Sequence, residues 1–248
     1  MSHTSTRPVR AYLLEVSGLW LQGTLFDTAS IVSKDALKRE QGSWPATIPF
    51  IMTILVFHRY YMCLSSWSEQ TTPCGKESLL EVFWKTVSTG GVWDNSVTGE
   101  YSEPFRTMPF RRCTTEDAEK LYKEWFESAR IDSPEDPYQV ASRNGFYLFI
   151  YMMHDTHLHD LPNRKFFITE RGYCSLGPLN TKPSDRVYIL NGGRLPFVLR
   201  RIEPPETAPL HSLPGSTFRF IGACYLHGIM FGEAENDKSL REETVVLY

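Results

Sequence analysis

The sequence predicts an α+β fold. A small antiparallel β-barrel or strongly curled sheet is expected from an N-terminal hairpin plus C-terminal strands, with a helical insertion packed outside. Three observations predict it. Residues 165–233 contain KFFITERGYCSLGP, DRVYILNGGRLPFVLRRIE and TFRFIGACYLHGIMFGEA, in which alternating apolar residues are broken by glycines and prolines, the mark of short strands. Residues 10–32 carry a second strand-like stretch at the other end of the chain. Between residues 34 and 160 the apolar period lengthens from two toward three to four, which marks helices. Strands at both ends leave unpaired edges unless they meet. One sheet curled closed from both ends is the economical arrangement. The expectation is a single α+β domain over 1–248, divided into N-terminal strands (10–32), helical insertion (34–160) and C-terminal barrel strands (165–233).

The elements follow in order. In AYLLEVSGLWL, Gly18 and Gly23 read as bulge or turn residues. Pro49 fits the first turn of a helix over 49–64, where its missing N–H costs nothing. Ser78 opens SLLE, a capping box with Glu81 three residues on, and Leu80, Phe83, Trp84 and Val87 then share one helical face. Gly90 and Gly91 end that helix. Residues 91–113 lack periodicity and read as a long surface loop. Thr114 or Thr115 caps a further helix with Asp117, Leu121, Tyr122, Trp125, Phe126 and Ala129 on its stripe. Pro134 and Pro137 precede a helix over 138–153 and a polar connector over 154–163. Gly172 and Gly177 bracket a two-strand element. Gly192-Gly193 reads as a hairpin turn, of type I′ if Asn191 or Gly192 leads it. Residues 234–243 read as a fraying tail, and TVVLY as a last edge strand.

Composition narrows the function classes. A net charge of −3 gives no bulk attraction to nucleic acid or an anionic membrane. Cys63, Cys74, Cys113, Cys174 and Cys224 are scattered without a CxxC pair, as expected of reduced thiols rather than a disulfide framework or zinc site. The N-terminus has no signal-peptide core, and the apolar run 48–57 is too short to span a bilayer. A cytoplasmic protein, with no nucleic-acid partner and no membrane insertion, is the expectation.

Several residue sets invite chemistry. His154, Asp155, His157, His159 and Asp160 offer metal-type ligands, but the order is not HExxH and the segment reads as a solvated connector, so no metal is expected. Tyr225, His227 and Glu233 suggest proton transfer. The favoured alternative is a strand ending at His227, Gly228 turning the chain, with the histidine donating to a backbone carbonyl. Cys174 or Cys224 beside His227 resembles a nucleophile arrangement, although a buried small thiol is the commoner role. Of Arg200 and Arg201, strand alternation turns only one outward, and the inward one needs a carboxylate such as Asp185 or Glu233. There is no GxGxxG, P-loop or GxSxG, and Ser175, Ser184 and Ser216 lack an elbow context. No catalytic residue and no cofactor is expected.

The C-terminal wording resembles the C-terminal end of fungal heterokaryon-incompatibility (HET-domain) proteins. The residues that carry the resemblance include Phe166, Phe167, Thr169, Gly172, Tyr173, Leu176, Gly177, Pro178, Asp185, Val187, Gly192, Gly193, Pro196, Arg200, Gly222, Tyr225, His227, Gly228 and Glu233. LLEVFWKTVSTG is similar to a W-K/R-T-L helix of the same family, and Leu14, Val16, Gly18, Asp27 and Ile31 to an L-x-V-x-G … D-x-x-x-I phrase. The resemblance implies a protein of fungal nonself recognition. In that family an N-terminal HET domain, related in fold to TIR domains, triggers programmed cell death, and nothing in this chain matches its motifs. The chain is therefore expected to be a non-catalytic recognition or regulatory module, partnered by other proteins or an upstream HET domain. Gly172, Gly177, Pro178, Gly192, Gly193, Pro196, Gly222 and Gly228 are expected to be structural. The competing expectation is an enzyme or small-ligand domain with a pocket near Tyr173, Arg200, Tyr225 and His227, Glu233 completing the binding set.

Overall fold

Leu19–Val32 forms one strand of 14 residues, and the architecture is organised around it. The computed structural model describes residues 12–13, 18–34, 73–93, 110–122, 164–203 and 216–248. The chain forms two compact units, one of Met1–Lys34 with Lys165–Tyr248, the other of Asp35–Arg164. The helices expected over 49–64 and 138–153, and the connector 154–163, lie outside the described residues.

In the first unit, β1 (Tyr12–Leu13) and β2 (Leu19–Val32) form the expected N-terminal hairpin, with Tyr12 opposite Trp20 and Leu13 opposite Leu19. The other strands are β5 (Arg164–Thr169), β6 (Cys174–Pro178), β7 (Arg186–Leu190), β8 (Phe197–Arg201), β9 (Ser216–Ala223), β10 (Tyr225–Leu226) and β11 (Glu242–Leu247). Together they make a nine-stranded sheet. Its pairings run β2–β11–β9–β8–β7 and return to β2, so five strands close a ring. The β5–β6–β10 arm is attached to the far end of β2.

Three expectations are corrected here. The sheet is not wholly antiparallel, because β9 and β11 pair in parallel. Strands of strictly alternating direction cannot close a ring of odd number, so one pair must be parallel. The C-terminal strand is not an edge, since β11 lies between β2 and β9. The tail before it contains a short 3-10 helix, Glu233–Asn236.

One strand serves so many partners because it bends. Its register shifts between Leu25 and Asp27 against β7, and between Ala29 and Ile31 against β5. Such bulges increase local twist and re-aim the chain. Gly23 is an interior strand residue rather than a turn. A Cβ there would sit 2.7 Å from Leu190 Cδ2 and 3.2 Å from the Ile189 carbonyl, so a larger residue would require Leu190 and the β7 backbone to shift.

Alternation along the strands builds two cores. Tyr188, Leu190, Leu199, Phe218 and Val245, with Leu21, Leu25, Phe197 and Leu247 against them, come from all five ring strands and fill the ring. Tyr188 and Phe218 meet edge-on at 5.2 Å, a favoured aromatic geometry. The alternate residues Phe26, Ala29, Val187 and Val198 point the other way and pack with Phe167, Cys224, Leu226 and Ile229. Burying each large side chain contributes about 1.5–3 kcal/mol.

The β7–β8 connection is not a two-residue type I′ hairpin. It spans residues 191–196, and Gly193 N–H donates to the Leu190 carbonyl at 2.9 Å. Gly192 has φ 79° while Asn191 is not left-handed, the signature of a type II turn led by Asn191.

In the second unit, α1 (Leu79–Val87) starts as the sequence predicts, with Ser78 Oγ accepting the Glu81 N–H at 3.2 Å. Its apolar face is not a single stripe, for every residue from Glu81 to Val87 is buried. Its end is a Schellman motif: Gly90 N–H donates to the Lys85 carbonyl at 2.7 Å and Thr89 N–H to Thr86 at 3.0 Å. The left-handed residue that usually is glycine is Thr89, with φ 51°. The expected loop over 91–113 is ordered at both ends into a ladder of β3 (Gly91–Trp93) and β4 (Phe110–Arg112). Val92, Trp93 and Phe110 are strand formers that the surrounding turn residues masked. Helix α2 (Thr115–Tyr122) begins with a reciprocal cap. Thr114 Oγ1 accepts the Asp117 N–H at 3.2 Å, and Asp117 accepts the Thr114 N–H at 2.8 Å. Ala118 is buried on this helix, a core position the expected stripe omitted.

Candidate functional site

The polar residues singled out from the sequence fall into three neighbourhoods of the first unit. The β6–β10 pairing places Tyr225 opposite Leu176 and Leu226 opposite Ser175. The ladder continues one residue, with His227 N–H donating to the Cys174 carbonyl at 3.0 Å. Alternation then puts Tyr225 and His227 on one face and Leu226 in the core. Tyr225 Oη lies 3.2 Å from His227 Nδ1, and both residues are buried. Ser175 Oγ donates to the Tyr225 carbonyl at 2.5 Å and fixes β10 in place. His227 Nδ1 meets the Tyr225 hydroxyl, a contact the sequence did not assign to the imidazole. Glu233 accepts the Phe231 N–H at 2.7 Å and so shapes the turn ahead of the 3-10 helix.

Arg200 occupies a second neighbourhood. Its Nε donates to Asp185 Oδ1 at 2.7 Å, and Nη2 to Asp185 Oδ2 at 2.9 Å and to the Asn180 carbonyl at 2.6 Å. These bonds to Asp185 raise the guanidinium pKa. Asp185, 2% exposed, also accepts the Lys182 N–H at 2.8 Å. Of the two carboxylates named from the sequence, this is the one that pairs with Arg200, and Arg201 is the exposed member of the arginine pair.

Tyr173 belongs to a third. Its ring meets Phe26 edge-on at 5.1 Å, and the Arg171 guanidinium lies 4.9 Å from the Phe26 ring and 5.5 Å from the Tyr173 ring. Arg171 donates from its backbone to Asp27 Oδ2 at 3.2 Å and from its side chain to Asp237 at 2.9 Å. Hydrogen bonds from Ser239, then from Arg171, lower the Asp237 pKa. This knot ties β2, the β5–β6 turn and the segment after the 3-10 helix. Sequence reasoning did not assign Asp27, Arg171 or Asp237 to it. The usable signal was Asp27, the one charged residue of β2, which needs a partner when buried.

The residues expected to be structural take these places. Gly172 and Gly228 sit in turns after β5 and β10, and Gly177 and Pro178 end β6. Gly192, Gly193 and Pro196 lie in the β7–β8 connection. Gly222 on β9 backs onto the Pro178 ring, where a Cβ would come within 2.9 Å of Cγ. Cys174 and Cys224 are buried, as is Cys113, whose thiol burial pushes up to about 11.

Among the described residues of the second unit, Glu77, Glu81, Lys85 and Thr115 form a dense polar cluster. Lys85 Nζ donates to Glu77 at 2.8 Å and to Glu81 at 2.5 Å, and Thr115 Oγ1 donates to the same Glu81 oxygen. Burial alone would raise the Glu81 pKa, but the Lys85 and Thr115 hydrogen bonds outweigh it and lower it. The cluster joins α1 to α2.

A family model described as the Het-6 beta-barrel domain matches residues 112–246, more than half of the chain. The match takes in β5 to β11 but not β2. Among curated proteins, heterokaryon incompatibility protein 6, OR allele, of Neurospora crassa is 30% identical over 86 residues, which cover 35% of this chain and 11% of that protein. The chain thus matches only a small part of that relative's length. No solved structure gives a significant match.

Proposed function

Because the chain belongs to the Het-6 β-barrel domain family, we propose that it acts as a non-catalytic recognition or regulatory module of a heterokaryon-incompatibility system, with the five-strand ring as its barrel. Its setting would be the fungal cytoplasm, its role nonself recognition leading to programmed cell death, and its partners other proteins or a HET domain. One observation carries this reading. Side chains from all five strands fill the ring, and Arg200 and Tyr173 are engaged in separate structural contacts instead of converging on one cavity. Apolar side chains remain outside: Phe220 is 47% exposed and Phe231 60%. Exposed aromatics suit a protein-binding surface.

The second reading, an enzyme or small-ligand site, draws support from the buried Tyr225–His227 pair. Expression of the chain in a filamentous fungus, scored for the incompatibility reaction on cell fusion, separates the two. A module should alter the reaction, and His227→Ala and Glu233→Ala variants that remain folded should alter it equally. The purified protein should leave NAD unconsumed. An effect lost in folded His227→Ala together with a chemical turnover would overturn the non-catalytic reading.

A further inference from the structure

Strand β9 outruns its pairing with β11. That ladder covers Ser216 to Phe218, while the pairing with β8 continues through Arg219 and Phe220 to Ala223. Backbone groups along a strand point to alternate edges. The Thr217 carbonyl accepts the Ile202 N–H at 3.0 Å just past β8, and the Phe218 carbonyl accepts the Tyr248 N–H at 2.9 Å on the β11 side. The N–H and C=O of Phe220 therefore point to the β11 side, beyond the last pair of that ladder, and no described residue hydrogen-bonds them there. The side chains of this stretch are also open. The Phe220 ring is 47% exposed and rests 5.5 Å from the Phe197 ring. Arg219, on the other face of the strand, is exposed and sits directly opposite Arg200. The Arg200 charge is taken by Asp185, whereas no carboxylate among the described residues pairs with Arg219.

We infer that this edge of β9 takes an extended segment of a partner protein in which apolar and acidic residues alternate. Main-chain pairing to an open strand edge gives affinity, and alternate side chains give specificity. A strand added beside Arg219 and Phe220 presents its side chains to both faces of the sheet in turn. On one face it meets the exposed Phe220 ring, which asks for an apolar neighbour. On the other it meets Arg219, which asks for a carboxylate, and a basic residue there would add to the two arginines already opposed. Open edges are commonly guarded by charge alone. Here the charge stands next to an exposed aromatic ring, which favours pairing with a segment of the right composition. The segment is short, because the register shift at Ile221 ends the regular edge just after Phe220. The inference rests on the reading of this chain as a protein-binding module and names the chemistry of what it binds.

Amide exchange on the isotope-labelled full chain, read by NMR, tests it. The probe is a capped hexapeptide of alternating Glu and Val, and the control one of alternating Lys and Val. In the free chain the Phe220 amide should exchange quickly and the Arg219 amide, which faces β8, slowly. The Glu-Val peptide should slow Phe220 exchange about tenfold once present at about ten times its Kd. The Lys-Val peptide should leave it unchanged, and Arg219→Glu should swap the two results. Methylating the backbone nitrogens of the Glu-Val peptide should abolish the effect. A Phe220 amide already protected in the free chain would overturn the inference, as would a Glu-Val peptide that gives no protection at millimolar concentration or two peptides that act alike. Such a failure alongside an unaltered effect of the chain on the fungal incompatibility reaction removes this site and leaves the module reading standing. Peptide binding without any effect on that reaction does the reverse.

Discussion

Replacing Arg200 by methionine should destabilise the first unit by about 3 kcal/mol, through Asp185 rather than through lost packing. Arg200 gives Asp185 two charge-assisted hydrogen bonds, each of about 1.5–3 kcal/mol. Asp185 is 2% exposed and cannot turn to water when its partner goes, and the Asn180 carbonyl loses a donor as well. Breaking a buried pair from one side costs about 3–5 kcal/mol, and the 24% exposure of the Arg200 side chain places this case at the low end. Asp185→Asn keeps an acceptor for Lys182 and leaves an arginine that can reach solvent, so it should cost about 1–2 kcal/mol. The double variant strands no charge and should cost about 2–3 kcal/mol, well short of the sum of the single variants. Native-state hydrogen exchange of the β7–β8 ladder amides reads the stability of this unit directly. A double variant that costs the full sum, or an Arg200→Met cost below about 1 kcal/mol, would refute the buried-pair account. A stable Arg200→Met chain that had lost the incompatibility effect would make Arg200 a contact residue instead.

Two further outcomes are expected. Thr89→Gly should stabilise the second unit by about 0.5–1 kcal/mol, because a β-branched residue at φ 51° gives way to the residue that position favours; a lowered urea midpoint would refute this. Hydrogen bonds from Arg111 hold Asp117 at about 2, below its usual 3.8. A depressed acid contributes stability that is present above its unfolded pKa and lost as pH falls through the folded value, so the α2 cap should weaken between about pH 4 and pH 2. Asp117→Ala should flatten this part of the acid limb in amide protection of α2, and an unchanged limb would argue against the assignment.

What was legible in the sequence was local. The Ser78 cap and the Thr114 cap depend on residues three positions apart, and both appear in place. The N-terminal hairpin and the C-terminal strands were visible through alternation, and the need of an inward arginine for a carboxylate narrowed the partner to Asp185 or Glu233, of which Asp185 is the one that pairs with Arg200. What escaped was set by long-range pairing. Nothing in TVVLY distinguishes an edge strand from one flanked on both sides, since the difference lies in β2 and β9. The Thr89 helix end was hidden because the sequence offers glycines just beyond it, and the chain turns left-handed one residue earlier. Tyr173 and Arg200 look alike as motif members, yet alternation and distant partners send them to different neighbourhoods.

The ring also sets an order of events during synthesis. Its first strand leaves the ribosome long before β11, whose Thr244 follows Gln22 by 222 positions. At about 5–20 residues per second, β2 waits on the order of 10–40 s for the strand it must pair with. Contacts of such separation are slow to form, since loop closure precedes any gain. The nascent chain therefore carries an apolar, edge-bearing strand while the residues between β2 and β11 are made, and Asp35–Arg164, a compact unit, emerges in that interval. Nascent chains on neighbouring ribosomes of one message hold the same strand waiting at the same time.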